Sequence, residues 1–115
     1  MAEFLIAYKI TAGNEGGYVN DPHDSGGETY CGISRVNFPH WKGWATIDLY
    51  KSQGKVHYNV VFPELANLVH EFYKTNFWDP IDGDNIDDQD VANDAYDMAV
   101  NSGVGAAKQM LKDIS

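Results

Sequence analysis

The sequence predicts a mainly α fold with a small loop or β-ribbon lobe after the first helix. Three observations predict it. Apolar residues recur at helical spacing over most of the chain. The stretch from Gly16 to Gly32 is instead crowded with Gly, Asp, Asn and Pro, the residues of turns. No repeat, low-complexity tract or linker divides the 115 residues, a length at which one domain is expected. With 43% hydrophobic and 13% aromatic residues, there is enough apolar surface to offset the entropy of ordering.

Each element has its own signal. Phe4 to about Asn14 reads as the first helix, with Phe4, Ala7, Tyr8, Thr11 and Ala12 at helical spacing and Gly16-Gly17 as its stop. Asn20-Asp21-Pro22 and Ser25-Gly26-Gly27 are turn signals, and Glu28 to Ser34 reads as a short β-ribbon. A second helix covers Ala45 to Lys51 and ends near Gly54. Pro63 suits the first position of the strongest helix. Its face is Leu65, Leu68, Val69, Phe72 and Asn76, broadened by Tyr73 and Phe77 and ended by Trp78-Asp79-Pro80. From Asp87 to Ser102 another helix carries Val91, Ala95, Met98 and Ala99 as its apolar stripe, and acidic residues at its start complement the helix dipole. Gly103 interrupts, and Gly105 to Asp113 forms the last helix. The sequence stops just after Met110-Leu111 without a polar tail, which reads as a fragment of a longer protein or as an apolar face covered by a partner.

Charge excludes several function classes. The net charge is −9, and the stretch from Asp79 to Asp97 holds eight Asp and no Lys or Arg. A nucleic-acid reader needs the opposite sign, because phosphate neutralisation supplies most of its affinity. An anionic membrane surface is disfavoured for the same reason. No run approaches the roughly 18 apolar residues of a membrane span, so no membrane insertion is expected. Met1 to Ile10 lacks the pattern of a signal peptide, so the chain reads as made in the cytoplasm. Cys31 is alone, which excludes an intrachain disulfide, and it reads as a small core residue. The four His have no metal-ligand spacing, and Asp82, Asp84 and Asp87 lack the Gly and closing Glu of a calcium loop. No metal and no cofactor is expected, and the sequence sets no oligomeric state.

The chemistry-bearing stretch runs from Glu15 to Ile33. Glu15 stands at the end of an apolar helix, immediately before two glycines, where a carboxylate projects from a rigid element into the cleft of a following loop. Partial burial there raises the pKa and keeps a carboxyl able to donate a proton. Asp24 lies nine residues on, in a loop suited to doubling back opposite Glu15. Two carboxylates in unlike environments are what glycoside hydrolysis requires: an acid for the leaving oxygen and a partner that stabilises the cation-like transition state or activates water. Thr29 is the candidate for holding that water or orienting the second carboxylate. Taken alone, each residue also has a plain reading: Glu15 as a solvated helix end, Asp21 and Asp24 as turn residues, Thr29 as a strand residue. Tyr18, Tyr30, Trp41 and Trp44 are candidates to stack on sugar faces, each equally readable as core.

The same stretch resembles glycoside hydrolase family 108, the N-acetylmuramidases. That family's opening motif reads Glu-Gly-Gly-Tyr, Asn-Asp-Pro, Asp-x-Gly-Gly-x-Thr and Gly-Ile. Here the elements are Glu15 to Tyr18, Asn20 to Pro22, Asp24, Gly26-Gly27, Thr29 and Gly32-Ile33. The helix end Tyr73…Phe77-Trp78 looks like the family's Tyr-x-x-x-Trp-type end, and the segment Asp88 to Gly103 looks like its peptidoglycan-binding half. The resemblance implies a lysozyme-like fold, with 1–80 as the catalytic part and 81–115 as the start of the peptidoglycan-binding helical part. Members usually continue for several more helices. It implies cleavage between N-acetylmuramic acid and N-acetylglucosamine, with Glu15 catalytic. Glu15, Asp24 and Thr29 are also similar to the Glu–Asp–Thr triad of phage lysozymes, with the Asp-to-Thr interval one residue shorter.

Tyr18, Asp21, Tyr30 and Asn101 are the expected substrate contacts, and glycan strands of peptidoglycan the expected partner. So acidic a chain is not held by bulk attraction to a polyanionic wall, so recognition falls to a groove. Three function classes follow. The first is a muramidase, with a lytic transglycosylase as close variant. The second is a wall-binding module without turnover, and the third a structural or phage-particle component. An endolysin released through a membrane pore, or a bacterial wall enzyme exported by another route, accounts for the N-terminus.

Overall fold

The computed structural model describes residues 1–13, 16–21, 23 and 27–115. The chain is mainly α, with a small antiparallel sheet after the first helix, as predicted. The helices are α1 (Phe4–Ala12), α2 (Gly43–Ser52), α3 (Ala66–Tyr73), α4 (Gln89–Ser102) and α5 (Val104–Ile114). The strands are β1 (Tyr18–Asn20), β2 (Glu28–Tyr30) and β3 (Ile33–Ser34), in the order β1-β2-β3. Two compact units result: Asn14–Val69, which holds the sheet and α2, and a second made of Met1–Gly13 with His70–Ser115.

In the second unit, α4 carries buried Ala92, Ala95, Tyr96 and Ala99, and α1 contributes Phe4 and Ala7. Small residues on α4 let neighbouring helices approach closely, while Trp78, with no exposed surface, fills the remaining volume. The predicted stripe on α4 is therefore shifted: Ala92 and Tyr96 are core, whereas Val91 and Met98 are half-buried. Asp88 caps α4 by accepting hydrogen bonds from the backbone N–H groups of Asp90 and Val91. Gly103, at φ 102°, separates α4 from α5 as the sequence suggested. After α3 the helix widens into a π-helical turn, Lys74–Trp78, which passes into a short 3-10 turn, Asp79–Ile81.

Two expectations are corrected. The last helical residue of α1 is Ala12, with Gly13 at φ 54° as C-cap and its N–H donating to the Lys9 carbonyl, so Gly16-Gly17 do not terminate it. Cys31 is half-exposed rather than core. It sits with Gly32 in the two-residue turn between β2 and β3, both at positive φ (49° and 81°), because a right-twisted hairpin this tight needs that backbone shape.

Candidate active site

The sheet sorts its residues onto two faces. Tyr18, Tyr30 and Ile33 align across the three strands and are all buried. Val19, Thr29 and Ser34 form the adjacent row on the opposite face, and all three are half-buried. Thr29 is thus in mid-strand, half-buried, on the face opposite Tyr18 and Tyr30.

Beside β1 lies a cleft of about 390 Å³ lined by Tyr18, Val19, Asn20, Asp21, His57 and Tyr58. Its far wall is His57 and Tyr58, and the two residues that follow them, Asn59 and Val60, are held against β1 by backbone pairing. The Tyr18 N–H donates to the Val60 carbonyl (3.0 Å), and the Asn59 N–H donates to the Tyr18 carbonyl (2.7 Å). The Gly17 N–H donates to Asn59 Oδ1 (3.0 Å). Such close contact requires glycine: a Cβ on Gly17 would stand 1.9 Å from the Val60 carbonyl oxygen, and one on Gly16 1.5 Å from Asn59 Oδ1. The Gly-Gly pair is therefore a seat for another segment, a meaning of glycine that sequence reading passed over in favour of the helix stop. Because the obstacle at Gly17 is backbone, no rotamer change relieves it. Gly17→Ala is expected to lose about 1–3 kcal/mol of stability, read as a fall in the urea midpoint; an unchanged midpoint would mean that segment 57–61 is not seated there.

The predicted site residues divide as follows. Glu15 and Asp24 lie outside the described residues. Tyr18 and Asp21 line the cleft together. Asp21 is exposed, and its Oδ1 accepts from the His23 N–H at 2.9 Å, an Asx turn. Tyr30 is only 1% exposed; its hydroxyl accepts from the Phe62 N–H (2.9 Å), and its ring lies between Trp41 and Phe62, so it offers no face to a sugar. Burial pushes that hydroxyl up to about 12. Trp44 is likewise core, and the Trp41 indole donates to the Leu68 carbonyl at 3.4 Å. Asn101, on α4 in the other unit, is exposed and donates from Nδ2 to the Asp97 carbonyl of its own helix at 3.0 Å.

A family model for glycosyl hydrolase 108 matches residues 8–103. The chain belongs to that family. No curated protein and no solved structure matches it. Family 108 membership makes the chain a glycosidase with a glycan substrate and implies a peptidoglycan hydrolase. The match runs through the whole stretch from Glu15 to Ile33 as well as α4.

Sequence reading also missed how this glycosidase braces its sheet. Glu28, at a variable position of the family motif, accepts from the Tyr18 hydroxyl (2.6 Å) and Arg35 (3.1 Å), and pairs with Lys51 of α2. Arg35 in turn makes a bidentate pair with Asp48 of α2, both bonds 2.7 Å. Burial alone would push the Glu28 carboxyl up, but Lys51, Tyr18 and Arg35 outweigh it and hold it below the ordinary value of 4.5. Burial and then the Glu28 hydrogen bond push the Tyr18 hydroxyl up, which keeps it a donor. Glu28 is thus an ionised brace, the opposite of a proton donor.

The sign of its pH dependence follows. A carboxyl whose folded pKa is depressed contributes stability that is fully present above its unfolded value and lost as pH falls through the folded one. The parent chain is expected to lose stability on acidification below about pH 4.5. Glu28→Gln is expected to be less stable at neutral pH and to show a shallower acid-side slope in denaturation midpoint against pH. Identical slopes would remove Glu28 as the titrating brace.

Proposed function

We propose that this chain hydrolyses the glycan bond between N-acetylmuramic acid and N-acetylglucosamine in peptidoglycan, with Glu15 as general acid. The observation that carries the reading is the family match, which extends over the complete motif that begins at Glu15. Glu15 protonates the leaving glycosidic oxygen. Asp24 stabilises the oxocarbenium-like transition state or activates the attacking water, and Thr29 orients that water or carboxylate. The position of half-buried Thr29 opposite Val19 of the strand that lines the cleft agrees with such a role. Tyr18 and Asp21 contact substrate along the cleft. The segment from Asp88 to Gly103, where Asn101 is exposed, belongs to the half that grips peptidoglycan. Made inside a bacterium or by its phage and released or exported to the wall, such an enzyme has the role of an endolysin or wall hydrolase.

The test is the chemistry of the products. Purified peptidoglycan digested with this chain is expected to yield new muramic reducing ends, identified by mass spectrometry. Anhydro-muramic ends would instead make it a lytic transglycosylase, and binding without any released fragment would make it a wall-binding module. The anomer of the first-formed product reports carboxyl spacing: about 5–5.5 Å gives retention and about 6.5–9.5 Å inversion.

A further inference from the structure

We propose that the cleft between β1 and the segment 57–61 is a saccharide subsite, with Tyr58 as its stacking platform and Asn20, Asp21 and His57 as its polar rim. The inference deepens the hydrolase reading and rests on it for the identity of the ligand. Three features of the cleft carry it. First, Tyr58 is a large aromatic left 78% exposed beside the cleft that it lines. The negative face of an aromatic ring attracts the weakly positive C–H face of a pyranose, which makes such a ring a sugar platform. Second, the rim groups differ in kind: an amide on Asn20, a carboxylate on Asp21 and an imidazole on His57, able together to donate to and accept from sugar hydroxyls and an acetamido group. Third, the volume of about 390 Å³ lies within the range of about 300–1,000 Å³ typical of small-ligand sites.

The wall is built rather than incidental. Asn59 adopts φ 66°, a left-handed conformation, so that its Oδ1 reaches the Gly17 N–H while its own N–H reaches the Tyr18 carbonyl. His57 and Tyr58 stand immediately before this anchor, and the His57 Nδ1 lies 3.2 Å from the Tyr58 carbonyl oxygen. The glycines that follow Glu15 therefore seat the loop that carries the sugar platform, which hydrogen bonds from Gly17 and Tyr18 to Asn59 and Val60 tie to the motif. The Asp21 carboxylate on the rim disfavours an acidic ligand, which favours a neutral N-acetylhexosamine unit as the occupant.

The test uses the full chain and the uncharged trimer of N-acetylglucosamine, followed by NMR chemical-shift titration. Saturable shifts at Asn20, His57 and Tyr58 are expected. Tyr58→Ala is expected to weaken the affinity about 3- to 10-fold, and Tyr58→Phe, which keeps the ring, to retain it. Because Tyr58 is exposed, its truncation leaves the core in place, and an unchanged spectrum elsewhere checks this. Absence of trimer binding, shifts confined to other residues, or parental affinity in Tyr58→Ala would each overturn the subsite. Peptidoglycan release by the parent chain separates the two readings. Trimer binding at Tyr58 without release would sink the hydrolase reading and support the subsite. Release with an unaltered KM in Tyr58→Ala would support the hydrolase and sink the subsite.

Discussion

Glu15→Gln is expected to lower the release of glycan fragments from peptidoglycan by about 10²- to 10⁴-fold, the usual contribution of a positioned general acid. The substitution keeps the side chain's size and polarity and removes only the proton that, in the proposed mechanism, the leaving oxygen receives. Thermal unfolding and binding of insoluble peptidoglycan should therefore stay at parental levels. The parent should also show a pH–rate profile whose basic limb reports the acid's pKa, and the variant's residual activity should lose that limb. A variant that retains most of its activity would dismiss Glu15 as the acid and return attention to other carboxylates of the motif.

Trp78→Ala is the substitution with the largest expected effect on stability, a loss of about 3–5 kcal/mol. Trp78 has no exposed surface, meets the rings of Phe4 and Tyr96 edge-on at centroid distances of 5.6 and 6.1 Å, and donates from its indole N–H to Asp84 Oδ1 at 2.9 Å. Gly83 lies so close to the indole that a Cβ there would stand 2.3 Å from it, so the surrounding chain is shaped to the ring and cannot collapse into the void that alanine leaves. Measured against a total stability of about 5–15 kcal/mol, that loss leaves a marginal or unfolded chain. Urea denaturation followed by circular dichroism is the suitable measure, since the substitution itself removes a fluorophore. A loss below about 1 kcal/mol would show that the indole does not hold this core together.

Much of the secondary structure was legible because it depends on local period and punctuation. Pro63 opened its helical run, and Gly103 separated α4 from α5, each acting through its own backbone geometry. Where the reading slipped, tertiary contact was the cause. The stripe of α4 is set by which helices approach it, so Ala92 and Tyr96 are core where Val91 and Met98 had been expected. Tyr30 and Trp44, plausible as sugar platforms by residue type, are consumed by the aromatic core of the sheet unit. No periodicity marks Tyr58 as exposed beside a cleft, and nothing local marks Glu28 as the hub of an ion-pair cluster with Arg35 and Lys51. Both properties depend on residues distant in sequence.

The sequence by itself determined the class of the fold, the order of its helices and the family, because local propensity and a contiguous motif are written in adjacent residues. Tertiary structure alone decided what Gly16 and Gly17 are for, which face of the sheet Thr29 occupies, and that His57 and Tyr58 wall a cleft beside β1. The physical reason is that a backbone approach within hydrogen-bond distance, between residues some forty positions apart, leaves no trace in sequence except the missing side chain that permits it.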